Sequence, residues 1–224
     1  MKKLIATAAA LILGASAFAI DLGIVGGLSF NSMTGTVKSG DSTSKTEYDN
    51  IIGGKIGAVI DIPAMKVLSI QPEVIFHFNN GGSSSASLNL FGLTAAGKTK
   101  YSFNSIEFPI LVKGSLSIGK GKLSGLIGPT FNLLIGDITT TVTTTNNITN
   151  KTTTDSSSTS YEDADWNNFV VGAEIGLEYQ FKAGSGSLAI GCSADLDFGD
   201  IAKNEKVTMT RFAVTPQVTY YFGL

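Results

Sequence analysis

Hydrophobic residues fall on alternate positions through most of the chain, and the pattern is sharpest at its C-terminal end. From Thr210 to Leu224, Phe212, Val214, Pro216, Val218, Tyr220 and Phe222 form one row, while Arg211, Ala213, Thr215, Gln217, Thr219 and Tyr221 form the other. A period of two is the geometry of a strand with one apolar and one polar face. Seven earlier segments read the same way: Ile20–Asn31, Ile51–Ile62, Val67–Asn79, Asn104–Leu116, Lys122–Ile135, Asn167–Phe181 and Ser187–Phe198. The third is the cleanest, with Leu68, Ile70, Pro72, Val74, Phe76 and Phe78 against Ser69, Gln71, Glu73, Ile75, His77 and Asn79.

No charged residue stands on any of the eight apolar rows. Strands of about ten residues with this dyad pattern are the signature of a transmembrane barrel. A soluble barrel also alternates, with its apolar rows turned inward, so three further features weigh the two. Connections after the first, third and fifth segments are long (33–50, 80–102 and 136–166), and those after the second, fourth and sixth are short (Pro63–Lys66, Ile118–Gly121 and Lys182–Gly186). Long extracellular loops and tight periplasmic turns alternate in this way in outer-membrane barrels. Aromatics of the apolar rows gather at both ends, Phe30, Phe76, Phe78, Phe131, Phe169 and Phe198 toward the long loops and Tyr179, Phe181, Tyr220 and Phe222 toward the turns, as interfacial girdles do. The polar rows are built of small residues that suit a narrow lumen. The pattern therefore predicts an all-β, eight-stranded antiparallel up-and-down transmembrane β-barrel with both termini periplasmic. Pro72, Pro109, Pro129 and Pro216 fall inside strands, where each removes a ladder hydrogen bond. They are expected at bulges or near the membrane boundary, with neighbouring faces open to a shift by one residue.

Composition agrees. Charged residues are 15% of the 224-residue chain, below the roughly 25% of an ordinary soluble domain. A net charge of −2 argues against nucleic acid as a partner, and one cysteine excludes an internal disulfide. Residues 1–19 read as a signal peptide: Lys2 and Lys3, an apolar run from Leu4 to Leu13, and an Ala17-Phe18-Ala19 cleavage site. The barrel domain is then 20–224, placed in the cell outer membrane. Its expected partners are outer-membrane lipid, the barrel-assembly machinery during biogenesis, and an extracellular ligand reached through the long loops. Residues 139–161, rich in Thr, Ser and Asn, fit either a disordered loop or a hairpin that prolongs the strands beyond the membrane.

Candidate chemistry is sparse. Turning the polar rows inward predicts one charge network at mid-depth from Lys55, Glu73, Glu107, Glu174, Asp195 and Arg211, with Asp195 opposite Arg211, Glu174 near Asp195, and Glu73 between Glu107 and Lys55. Lys113 and Glu178 are expected nearer the periplasm. Such a network reads as an ion-pair plug or as the lining of a gated, cation-preferring pore, and with four acids to two bases one carboxylate should be protonated or bind a cation. The single histidine, His77, has Asp197 and Asn79 within reach but no Ser-His-Asp arrangement around it. No catalytic residues, no cofactor site and no metal-ligand set are read, so the chain is not expected to be an enzyme. A narrow channel for small or apolar solutes, a lipid-modifying enzyme and a soluble periplasmic barrel remain the alternatives.

Ile106-Glu107-Phe108-Pro109-Ile110-Leu111-Val112-Lys113, then Gly128-Pro129-Thr130-Phe131, then the glycine-rich run from Asn168 to Glu178 resemble the PorT-like outer-membrane β-barrel family. That resemblance implies a small eight-stranded barrel in a diderm bacterium. It implies no substrate and no active-site residues.

Overall fold

The computed structural model describes residues 20–39, 42–90, 93–146, 151–198, 201–202 and 207–222. The expected signal peptide lies outside them. Ten antiparallel strands form one sheet: β1 (Asp21–Ser39), β2 (Ser42–Pro63), β3 (Leu68–Leu90), β4 (Leu93–Glu107), β5 (Ile110–Ile118), β6 (Gly121–Asn146), β7 (Lys151–Thr159), β8 (Phe169–Ala183), β9 (Gly186–Asp197) and β10 (Val207–Phe222).

These ten strands make eight staves. Strands β4 and β5 are one stave interrupted at Phe108-Pro109, and both pair with β3 on one side and β6 on the other. The interruption stays bonded, since Glu73 N–H donates to Pro109 O at 3.0 Å and Phe108 N–H to Phe131 O at 2.9 Å. Strand β7 pairs only with the upper part of β6, beyond the barrel proper. Pairing of β1 with β10 closes the ring.

Register fixes the size of the barrel. Following paired residues once round from Ile62, through Ile70, Val112, Ile127, Ile175, Ala194, Val214 and Phe30, returns to β2 at Ile52, ten positions from the start. Eight staves with this stagger tilt by about 40° and enclose only enough space for side chains. At that tilt the stretch of β10 from Phe212 to Phe222 rises roughly 25 Å, the height of an outer-membrane apolar belt.

Every residue on that path faces outward. Ile24, Ile56, Ile127 and Ile175 are 55%, 60%, 59% and 59% exposed, while Arg211, Glu107 and Lys113 inside are at most 2% exposed. A soluble protein that showed water a continuous aliphatic belt while burying its charges would invert the hydrophobic effect. The arrangement is stable only with hydrocarbon outside, which excludes the soluble-barrel alternative. Paired rings mark both rims of the belt: Phe76 and Phe78 stack at 6.5 Å above, and Tyr220 and Phe222 meet edge to face at 5.3 Å below.

The prolines cause no bulges. Register is the same on both sides of Pro216, which is opposite Cys192, so Thr219 and Tyr221 stay inside. Pro72, Pro129 and Pro216 simply leave gaps in one ladder each. The irregularities lie elsewhere, at Asn31/Met33, His77/Asn80 and Ser102/Asn104, all toward the extracellular rim. Asn79 at φ 57° and Gly136 at φ 75° take left-handed backbone there. Asn79 is held in place by its side-chain amide donating to Ile52 O and by Asn104 Oδ1 accepting its N–H at 3.1 Å.

Above these bulges the staves continue as a sheet. The tract 139–161 is a hairpin for most of its length, Ile138 pairing with Thr159 and so on to Asn146 with Lys151, while β4 pairs along its other side. Threonine and serine hydroxyls bond across it at 3.1–3.3 Å in the pairs Thr141–Ser156, Thr143–Thr154 and Thr145–Thr152.

Cys192, the one cysteine, faces outward within the belt. An environment-sensitive fluorophore on it should emit as in hydrocarbon and be quenched by membrane-embedded nitroxides but not by iodide. Quenching by iodide would mean that the faces are reversed.

Candidate functional site

Inward-facing residues stack in three layers. The lowest is centred on Lys113 of β5. Its Nζ lies 2.6 Å from Glu178 Oε1 and 3.0 Å from Asp61 Oδ2, and donates to Tyr221 Oη at 3.1 Å and Gln71 Oε1 at 3.3 Å. Tyr221 in turn donates to Gln71 Oε1 at 3.0 Å, and Gln71 Nε2 to Glu73 Oε1 at 2.6 Å. The ammonium also sits 4.6 Å from the Tyr221 ring centre. A lysine buried in this way keeps its charge because two carboxylates and two oxygen acceptors replace its water.

The middle layer holds the other charges. Arg211 grips Asp197 with two prongs, Nε to Oδ2 at 2.8 Å and Nη2 to Oδ1 at 3.3 Å, and its Nη1 donates to Asn31 Oδ1 at 3.4 Å. Asn132 bridges Asp197 at 3.1 Å and Glu107 at 3.4 Å. His77 Nε2 and Glu107 Oε2 approach to 2.5 Å. Lys55 reaches across the lumen from β2 to Glu174 of β8 at 3.6 Å and donates to Ser193 Oγ at 3.1 Å.

The top layer is apolar. Met33, Phe103, Leu134, Ile138, Trp166, Val170, Ile201 and Met209 pack into one cluster with Tyr161. Phe103 and Trp166 meet edge to face at 5.8 Å, and Trp166 forms a β-bridge with Ala202. Burial pushes the Tyr161 phenol up to about 12, so at neutral pH its hydroxyl remains a donor, to Asn104 O at 3.4 Å and Ile135 O at 3.3 Å. At the level of the bulges the lumen thus ends in a greasy stopper above a charged plug.

Several pairings differ from those the sequence suggests. All six charged residues of the expected network are buried inside, and Glu174 stands directly opposite Asp195. Arg211, however, takes Asp197, because Asp195 is in register with Ala213 and Asp197 lies one inward step nearer. Lys55 is level with His77 rather than with Glu73, and Glu73 joins the Lys113 layer through Gln71. Asp197 and Asn79 do not flank His77; Glu107 does. Asn132, Gln71, Ser193 and Tyr221 also enter the networks, and each stands on a polar row of the sequence.

This inside-out body, with its closed ring, matches a known family over almost the whole chain. Residues 15–224 fit the outer membrane protein beta-barrel domain. The chain belongs to that family. Its place is therefore the cell outer membrane. Solved structures with a similar course include Ail, the attachment invasion locus protein of Yersinia pestis, in complex with the heparin analogue sucrose octasulfate (12% identity, 91% of this chain and 99% of that one, TM-score 0.33). Neisserial surface protein A is 8% identical over 90% and 97% of the two chains, with a TM-score of 0.41. The outer membrane protease OmpT from Escherichia coli is 11% identical over 92% and 98%, with a TM-score of 0.36. Among curated proteins none matches the sequence.

Members of a barrel family share the wall and differ in what lines and crowns it. Here the lining is filled, and the crown is the extended β-sheet. His77 is 0% exposed, which puts it out of reach of a lipid headgroup at the rim.

Proposed function

We propose that the protein is a non-conducting, non-catalytic outer-membrane scaffold that presents its extracellular β-sheet to a surface partner. The observation that carries this is the contrast along the barrel axis. The lumen is closed twice, by buried charges and then by buried aromatics, whereas β3, β4, β6 and β7 continue as paired strands beyond the belt. A barrel that worked as a pore would need a wet path, and both layers block one. A barrel that only filled the membrane would not need the outer sheet, whose rigid hydroxyl-lined strands suit recognition. The Ile106–Lys113 and Gly128–Phe131 motifs support PorT-like affinity within the family, and the Met1–Ala19 composition supports export through a cleaved signal.

The test has two arms. Purified protein in planar bilayers should give no single-channel steps. Cells displaying the full chain should be retained on immobilised glycan or protein films, and replacing residues 139–158 by a two-residue Asn-Gly turn should abolish that retention without changing heat-modifiable gel mobility. Ohmic steps from the native protein, or retention indifferent to the hairpin, would overturn the proposal.

A further inference from the structure

We infer that the middle layer of the lumen is a binding site for one calcium-class dication, held by Glu107, Glu174 and Asp195. One carboxylate oxygen from each lies within 4.8 Å of the others, and all three residues are at most 2% exposed. Acidic clusters are common, and proximity alone would say little. The deciding observation is Asp195. Neither of its carboxylate oxygens has a hydrogen-bond partner, and Glu174 Oε2 has none either.

Nearby cations do not supply what is missing. Lys55, on the edge of the group, spends its ammonium on Ser193 at 3.1 Å and touches Glu174 only at 3.6 Å. Arg211 is held by Asp197 in a two-pronged grip. Three carboxylates (Glu107, Glu174 and Asp195) therefore share this level with Lys55 and His77. Whatever charge His77 carries, acid is in excess, and a doubly charged ion is of the size to offset it. Glu174 and Asp195 also sit directly opposite on β8 and β9, a like-charge pair that destabilises a sheet unless something lies between.

Donor chemistry and spacing select the ion. All three donors are hard carboxylate oxygens, which suit Ca²⁺ or Mg²⁺ rather than softer metals. Oxygens around Ca²⁺, at about 2.3–2.6 Å from the metal, can stand up to roughly 5 Å apart; around Mg²⁺ they are limited to about 4.2 Å. Oxygens that all lie within 4.8 Å of one another are within the reach of a single Ca²⁺. Because the lumen is closed above and below, the ion would enter as the barrel forms and leave slowly.

The full mature chain refolded into zwitterionic detergent, either with Ca²⁺ or with chelator, tests this. Equilibrium dialysis against radioactive Ca²⁺ should show one tightly held ion per chain, exchanging slowly, and Mg²⁺ should compete weakly. Asp195→Asn should lower the affinity at least tenfold. It should also unfold at higher urea than the native chain does in chelator, since it removes the uncompensated charge, and its midpoint should no longer respond to Ca²⁺. Glu174→Gln provides the same readouts if Asp195→Asn refolds poorly. Absence of uptake by the native chain would mean that a proton fills the site and would overturn the inference, as would uptake unchanged in both variants.

Discussion

Arg211→Met should lower the free energy of urea unfolding by about 3–5 kcal/mol, the usual cost of leaving a buried partner charge alone. The residue is 2% exposed, and methionine fills most of its volume, so the loss is electrostatic rather than a cavity effect. Its removal strands Asp197, which keeps only the 3.1 Å bond from Asn132, and frees Asn31 Oδ1. The second variant decides the cause. Arg211→Met combined with Asp197→Leu removes both charges, and buried pairs replaced by apolar residues of similar volume are commonly neutral. Most of the loss should therefore return in the double variant. Arg211→Lys should fall between, because an ammonium cannot reproduce the two-pronged contact with Asp197. Fluorescence-monitored unfolding in lipid vesicles measures all three. A single-variant loss under about 1 kcal/mol would show that water reaches Asp197, which would contradict a closed middle layer.

The wall of the barrel was legible because lipid imposes one rule on every stave. Each outward position must be apolar, so the row through Phe212, Val214 and Val218 repeats in seven other segments, and no tertiary knowledge is needed to see it. Partners inside the lumen obey no such local rule. Lys55 meets Glu174 between staves that are not neighbours, and their relative height depends on the ten-residue stagger and on where the bulges fall. Two of the three bulges sit at Asn79 and Gly136, whose neighbours Asn80, Gly81 and Asp137 look like ordinary loop residues. One inward step, two residues along the strand, was enough to send Arg211 to Asp197 instead of Asp195. The proline rule misled for a related reason: a long, otherwise continuous ladder absorbs a missing donor at Pro216 without slipping.

The crown was the least legible part. Its composition points to disorder and its β-branching points to strand, and β4 decides between them by pairing with β6 across a gap in sequence of some forty residues. The stopper escaped for another reason. Leu134 and Val170 are apolar residues on inward rows, where polar residues were expected; Met33, Ile138 and Trp166 fall in the expected connections, and Phe103 lies just before the fourth segment. Apolar residues turned inward at the long-loop end of several staves are the signal of a dry cap.

That cap yields the other large effect. Trp166→Ala should cost the segment 160–168 about 3–5 kcal/mol of local stability, the range for deleting a packed indole. The ring is 8% exposed and stands edge to face with Phe103, and around it the backbone is pinned by Trp166 N–H to Tyr161 O at 2.8 Å and Asn167 N–H to Ile201 O at 2.7 Å. Those backbone bonds survive the substitution but lose their cover from water. Opening of the segment should become roughly 10²- to 10⁴-fold more frequent, read as the rate of cleavage by an extracellular protease on intact cells, since slow cleavage follows the open population. The barrel below should stay shut: Arg211, Asp197, Asn132 and Glu107 form a second closure that does not depend on the indole. Trp166→Ala in a planar bilayer should therefore remain silent, and only the pair Trp166→Ala with Arg211→Met should leak. Steady conductance from the tryptophan variant alone would place the whole seal in the aromatic layer and leave the charges as mere lining.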